Sequence, residues 1–366
     1  MSPLEGAAAE ALIYPFADYP EAGNPIEVAD GVLWMSSPLP FAGLRQVNLW
    51  FIRDGDGWAM VECGYGDAAS RANLVATWAA ALGPRKLTRL IITHFHPDHA
   101  GNSRFIAERW KLRPEMTQGE WFAANLALGD RYIDTVSRRA DFFRAHGLDQ
   151  ARIDVFVNGV VSYAAGVELA ADYRRIRDGD TLTIGDDPWT VVTGEGHSPE
   201  HAALYCAPRQ ILISGDQILP TITTNISVHP TEPEGDPLAL FLASGRRFRD
   251  LIDPATLVLP SHRRPFRNIR RRLDELAHHH DERLNLVVAA TAPETTAADL
   301  IDVLFPRALD GHQMGFAMGE AIAHLNHLAA QGRLERRRDA AGIFRYRRSG
   351  GGAILAAPDP EPHRSP

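Results

Sequence analysis

Six consecutive positions, His94-Phe95-His96-Pro97-Asp98-His99, hold four residues of metal-ligand type. They follow the apolar run Leu90 to Thr93, which reads as a strand, and close on the small pair Ala100-Gly101. A borderline-soft divalent cation prefers imidazole nitrogen and carboxylate oxygen, presented on a stiff support. Two imidazoles directly after a strand end can clasp one cation. Asp98 and His99 lie just beyond, where a sharp loop stiffened by Pro97 aims them at a second, adjacent position. A lone His-x-His often marks nothing more than a polar strand end. Four ligand-type residues with this closure are far more specific.

Three further candidates stand where other apolar runs end. His197 follows Val191-Val192-Thr193 in Gly194-Glu195-Gly196-His197-Ser198, Asp216 follows Ile211 to Gly215, and His262 follows Leu257-Val258-Leu259-Pro260-Ser261. A single histidine after a strand is commonly a satisfied polar residue. Four strand ends that each deliver ligands to one rim of a sheet build a metal site at a sandwich edge.

In this order the motifs resemble the metallo-β-lactamase superfamily over roughly residues 30 to 266. The resemblance implies an α/β fold: a four-layer αββα sandwich, here carrying a small C-terminal helical, winged-helix-like domain. It implies that His94, His96 and His197 hold one metal, that Asp98, His99 and His262 hold a second, and that Asp216 bridges them. The expected cofactor is two Zn2+, with Mn2+ or Fe as alternatives. Such a pair activates a bridging water to hydroxide near neutral pH, and Asp98 either binds metal or acts as a base. One departure stands out. The family's strand-end aspartate near the start, which orients the metal loop, is matched by Glu62, in Val61-Glu62-Cys63-Gly64, which either does the same with a longer reach or marks a lost feature.

The leading functional expectation is hydrolysis of an ester-like bond in a small metabolite, a thioester of the hydroxyacylglutathione or acyl-CoA type, or a lactone. Arg263 and Arg264, directly after His262, are candidates to grip a substrate carboxylate or phosphate, with a structural ion pair as the alternative. The loop after Asp216 would bring Thr223 to Asn225 to the pocket wall. Leucine, alanine and aromatic residues at helical spacing between Gly119 and His146 predict two inserted helices, whose Trp121, Phe122, Tyr132, Phe142 and Phe143 either cap the cleft or pack the insertion. Ser198, Ser214 and Ser261 read as turn residues, and Cys63 and Cys206 as buried free thiols.

The chain of 366 residues divides on this reading into an arm (1–25), the catalytic domain (26–266, with the insertion at about 115–150), a winged-helix-like part (267–350) and a disordered tail (351–366). Within the C-terminal part, Gln313 to Ala330 reads as a helix carrying Phe316, Ile322, Leu325 and Leu328, and Leu334 to Tyr346 as a ribbon. His278-His279-His280 sits in a charged helix, where successive positions point about 100° apart, so the three cannot share one metal well, and the run reads as a solvated face. The arginines at 333, 336, 337, 338, 345, 347 and 348 make the ribbon basic, which keeps a metal-dependent ribonuclease or phosphodiesterase as the alternative. A formal net charge of −8 argues against nucleic-acid partners. No run has the form of a signal peptide or membrane span, so the expected location is cytoplasmic. A non-catalytic structural site is disfavoured because it needs only one closed tetrahedron. β-Lactam hydrolysis is disfavoured by the absence of a signal peptide. A homodimer is left open.

Overall fold

The computed structural model describes residues 11–41, 43–129, 136–291 and 293–350. Tyr132 and the tail from 351 onward lie outside the described residues. Four antiparallel strands open the fold: β1 (Ile26–Ala29), β2 (Val32–Pro38), β3 (Gln46–Asp54) and β4 (Gly57–Val61). Helix α1 (Ala68–Thr77), capped by the Asp67 carboxylate on the Ser70 amide, continues through a π-helical turn to Leu82 and returns the chain to β5 (Leu87–Ile91). The loop after β5, which carries His94 to His99, contains the single turn α2 (Pro97–Ala100), and α3 (Ser103–Trp110) leads to β6 (Glu115–Met116). Three helices follow: α4 (Gln118–Leu128), α5 (Val136–Ala145) and α6 (Gln150–Gly159). The short β7 (Arg174–Arg175) completes a seven-stranded sheet in sequence order, parallel from β4 onward.

The second sheet is built from β8 (Thr181–Ile184), β9 (Asp187–Gly194), β10 (His201–Cys206), β11 (Ile211–Gly215) and, after α7 (Pro237–Leu251), β12 (Leu257–Pro260). Its order is β12-β11-β10-β9-β8, with only β11 and β12 parallel. Side-chain alternation explains the stacking. Trp34, Trp50, Ile52, Val61 and Ile91 from the first sheet meet Trp189, Val191, Leu204, Ile213 and Leu259 from the second. The opposite faces are also apolar: Met35, Leu49, Phe51 and Met60 pack on Leu74, Trp78 and Ile106, while Val192, Ala203, Leu212 and Val258 pack beneath α7 and α8 (Ile269–Ala290). Sheets buried on both faces have near-continuous apolar strands, and the result is the expected αββα sandwich.

The chain then forms α9 (Ile301–Leu304), α10 (Gly311–Ala330, with a capping box between Asp310 and Gln313) and the hairpin of β13 (Leu334–Arg338) and β14 (Phe344–Arg348). These elements share one continuous apolar cluster with α7, α8 and the outer face of the second sheet.

Three expectations change here. A third helix, α6, follows the two expected in the insertion, and its Phe156 packs edge-on against Phe143. Phe316 is 41% exposed whereas Ile322, Leu325 and Leu328 are fully buried; six residues from Ile322 is 120° around the helix, so Phe316 belongs to another face. His278-His279-His280 is not a solvated face. His280 lies on the buried stripe Leu273, Leu276, Leu284 and Val287, and only His278 is well exposed.

Candidate metal centre

The strands that lead to the ligand candidates end on one rim. Strands β9, β11 and β12 run in the same direction, and the amide of Ala202 donates to the Thr93 carbonyl across the sandwich, which sets the end of β5 beside them. Two glycines are required here. Gly196 has φ +96° and Gly215 φ +54°, and a Cβ would run into Pro237 and Phe241 at the first and into His201 at the second.

The rim brings all seven candidates together. His94 Nε2 lies 3.0 Å from His96 Nδ1 and 3.2 Å from His197 Nε2. Ligand nitrogens about 2.0–2.1 Å from a tetrahedral cation stand roughly 3.3 Å apart, so this triad has ligand spacing. In the second group, Asp98 Oδ2 is 3.3 Å from His262 Nε2 and 3.5 Å from His99 Nε2. Asp216 Oδ2 sits between the groups, 3.4 Å from His262 Nε2 and 3.7 Å from both His99 Nε2 and His197 Nε2. The Nε2 atoms of His99 and His262 and Oδ1 of Asp216 are buried without a hydrogen-bond partner. A rim of convergent lone pairs with orphaned inner atoms suits cations better than protons.

The outer nitrogens are fixed by the scaffold. His197 Nδ1 contacts the Asn225 carbonyl at 2.8 Å and His262 Nδ1 the Gln46 carbonyl at 3.0 Å, which turns each Nε2 inward. Thr93 Oγ1 is 2.9 Å from His94 Nδ1. Glu62 is fully buried at φ +68°; it accepts from the amide and hydroxyl of Thr93, and its Oε1 lies 3.0 Å from His99 Nδ1. The longer carboxylate therefore reaches the metal loop and supports both imidazole groups. The Cys63 thiol, also buried, donates to the His99 carbonyl at 2.8 Å.

Electrostatics separate the two groups. Burial, reinforced by neighbouring imidazoles, holds His94 and His96 well below the usual histidine range, in the neutral form that ligates. Burial also pulls down on His262, but Asp216 and Asp98 outweigh it and push it up to about 10. The Asp98 carboxyl is held well below the carboxylate range: burial opposes ionisation, and His99 and His262 overcome it.

The proposed substrate contacts fare differently. Asn225 serves the site through its backbone carbonyl, while its side chain accepts from Ser227. Arg264 does not reach the rim: it donates to the Ala17 carbonyl at 3.0 Å and lies 5.0 Å over the Tyr14 ring, so it anchors the N-terminal arm. Arg263 is exposed, and its carbonyl accepts from Asn48. Of the insertion aromatics, Trp121 stacks on Tyr173 and Phe143 meets Phe156 edge-on, both buried, and Phe122 faces solvent. Packing occupies the Trp121 and Phe143 rings.

Two buried residues at the site escaped the sequence reading. His201 accepts from the Asp216 amide at Nε2, and burial pulls it down to about 3. The spacing His197-x-x-x-His201 was its only signal. Glu120, on α4, accepts from the Phe95 amide, the Ser198 hydroxyl and the Glu200 amide, and burial pushes its carboxyl up to about 7 against these donors. Nothing local marks it.

Comparison with known proteins supports the same picture. Residues 42–285 match the family model of the metallo-β-lactamase superfamily, and 284–349 match that of a metallo-β-lactamase-like C-terminal domain. A crystal structure of a β-lactamase domain protein from Burkholderia ambifaria is 43% identical, with TM-score 0.86, covering 92% of this chain and 98% of that one. Among curated proteins, the acyl-coenzyme A thioesterase MBLAC2 of Gallus gallus is 25% identical over 64% of this chain and 78% of its own. The probable metallo-hydrolase YqjP of Bacillus subtilis is 22% identical over 82% of this chain and 93% of its own.

Proposed function

The chain belongs to the metallo-β-lactamase superfamily and is a metal-dependent hydrolase, and from that premise we propose a dinuclear zinc enzyme that cleaves thioesters of the acyl-CoA type. The observation that carries the dinuclear part is the position of Asp216 Oδ2, 3.4–3.7 Å from nitrogens of both groups. His94, His96 and His197 would hold one ion, Asp98, His99 and His262 the other, and Asp216 would serve both. The likeness to an acyl-coenzyme A thioesterase supports the thioester over other ester-like bonds.

When bound, such ions supply a water acidified toward neutral pH and Lewis-acid polarisation of the carbonyl. The protein's own part is placement. Glu62, the Asn225 carbonyl and the Gln46 carbonyl orient His99, His197 and His262, so these imidazoles are in place before charge develops. No serine nucleophile is needed: Ser198 and Ser214 spend their hydroxyls on Glu120 and the Ile218 carbonyl.

The ribonuclease alternative receives no support from the hairpin. Arg336, Arg337, Arg345 and Arg347 are paired with Glu234, Glu294, Asp339 and Glu335, and Arg338 lies 4.2 Å over Phe344. No helix among the described residues is long and apolar enough to cross a membrane.

The test is a turnover panel of acyl-CoA thioesters, an acylglutathione, lactones, a phosphodiester and a β-lactam on metal-quantified protein. The expected result is two ions per chain and highest kcat/KM on acyl-CoA. Preference for the phosphodiester or the β-lactam overturns the substrate class, and one ion per chain at full activity overturns the dinuclear centre.

A further inference from the structure

We propose that Glu120 is the positioning residue that locks the two halves of the first imidazole group together before a cation arrives. The group is assembled from distant chain segments, with His94 and His96 on one loop and His197 on another more than a hundred positions later. Something must hold three neutral nitrogens at 3.0 and 3.2 Å. Glu120 is fully buried and spans the two loops with one carboxylate. Its Oε2 accepts from the amide of Phe95, the residue between His94 and His96, at 2.9 Å. Its Oε1 accepts at 2.7 Å from the hydroxyl of Ser198, the residue after His197, and at 2.7 Å from the amide of Glu200.

The strut is anchored in both directions. Glu200 returns the contact, its carboxylate accepting from the Gly119 amide at 2.8 Å and its carbonyl from the Thr117 hydroxyl at 2.7 Å. Tyr163 donates to the Phe95 carbonyl, which fixes the next peptide group, the one leading into His96. The start of α4 is thus a clamp on the metal loops rather than a lid. Charge-assisted bonds of this kind are the strong ones, and outer partners of ligands are where such rigidity is set. The second group has its own supports, Glu62 on His99 and the Gln46 carbonyl on His262, and owes nothing to Glu120.

This inference rests on the metal-site reading above, and the test separates the two. Glu120→Gln keeps the shape but sets an NH2 group against either the Phe95 amide or the Ser198 and Glu200 donors. Chelator competition should show one of two zinc ions bound about 10- to 100-fold more weakly, with the other unchanged. Ser198→Ala should show a smaller loss at the same ion and serves if the glutamine variant does not fold. In metal-free protein, amide exchange of Phe95 and Glu200 should quicken in Glu120→Gln while that of the Glu62 loop does not. Equal weakening of both ions, or wild-type affinity together with unchanged exchange, overturns the proposal. If the wild type binds no zinc yet the exchange difference is present, the clamp stands and the metal reading falls.

Discussion

Histidines gather in two places in this molecule, and they behave in opposite ways. At the rim, His94, His197 and His262 each commit one nitrogen to an outer oxygen and turn the other inward, the first two toward His96 and the third toward Asp98 and Asp216. Between α8 and α10, His324 Nδ1 contacts the Glu320 carbonyl at 2.8 Å, its Nε2 faces His280 at 3.4 Å, and His327 pairs with Asp236. The groups able to hold a metal among the described residues all lie at the rim. Strand ends converge by topology, whereas positions on a helix diverge by about 100° per step. Histidine number is therefore a poor guide, and so is a nearby carboxylate, since Asp236 stands beside His327; what counts is whether three or more donor atoms meet at one point. The helical cluster is instead kept neutral, burial pulling His280 down to about 3 and His324 to about 4.

The largest expected contrast comes from removing one member of each cluster. Asp216→Ala or His96→Ala should abolish metal binding and turnover together, read by metal analysis and steady-state kinetics. His280→Leu should leave both within about twofold, because it sits on an apolar stripe and touches no ligand. Metal loss in His280→Leu breaks the comparison. A step smaller, Glu62→Ala should weaken zinc at the site holding His99 by about 10- to 100-fold without unfolding the sandwich. That outcome would show that the glutamate fills the role expected of the family's aspartate.

Acid sharpens the comparison further. His280 and His324 titrate at 6.5 in the unfolded chain but lower when folded, so their stability is full above pH 6.5 and lost as the pH falls toward 4. Glu320, pushed up to about 7 by burial, works in the opposite sense and offsets one histidine between pH 7 and 4.5. Arg283 faces all three groups, with His279 and His327 beside the imidazoles. Urea melts between pH 6.5 and 4.5 should therefore show a slope shallower by up to about 1.4 kcal/mol per pH unit in His280→Leu than in the wild type. An unchanged slope means that His280 is solvated after all.

Much of the rim was legible because its chemistry is local. The His94 to His99 run, the strands before His197, Asp216 and His262, and the sandwich itself follow from short apolar runs ending in ligand-type residues. The Glu62 segment was legible as a position but not as a contact, since only its φ of +68° shows how the longer side chain reaches Thr93 and His99. Glu120 and His201 were illegible, because a carboxylate on a helix and a histidine opening a strand acquire their roles only when loops far apart in sequence close on them. His280 and Phe316 were misplaced for a different reason. Composition suggested one environment, and the 3.6-residue period, counted from their buried neighbours, gives the other.

The smallest expected effect marks where the rim ends. Arg264 stands two residues after His262, close enough in sequence to suggest a grip on substrate. Its guanidinium instead reaches the Ala17 carbonyl and the Tyr14 ring, next to the backbone pairing of Ile13 with Arg267. The side chain is partly exposed, so one hydrogen bond and one cation–π contact should stabilise the fold by no more than about 1–2 kcal/mol. Arg264→Ala should therefore lower the melting temperature by a few degrees and leave KM for an acyl-CoA unchanged. A rise in KM with no loss of stability would mean that the arm moves aside and frees the guanidinium for substrate. The boundary between rim and scaffold would then lie beyond Arg264, and the arm itself would join the site.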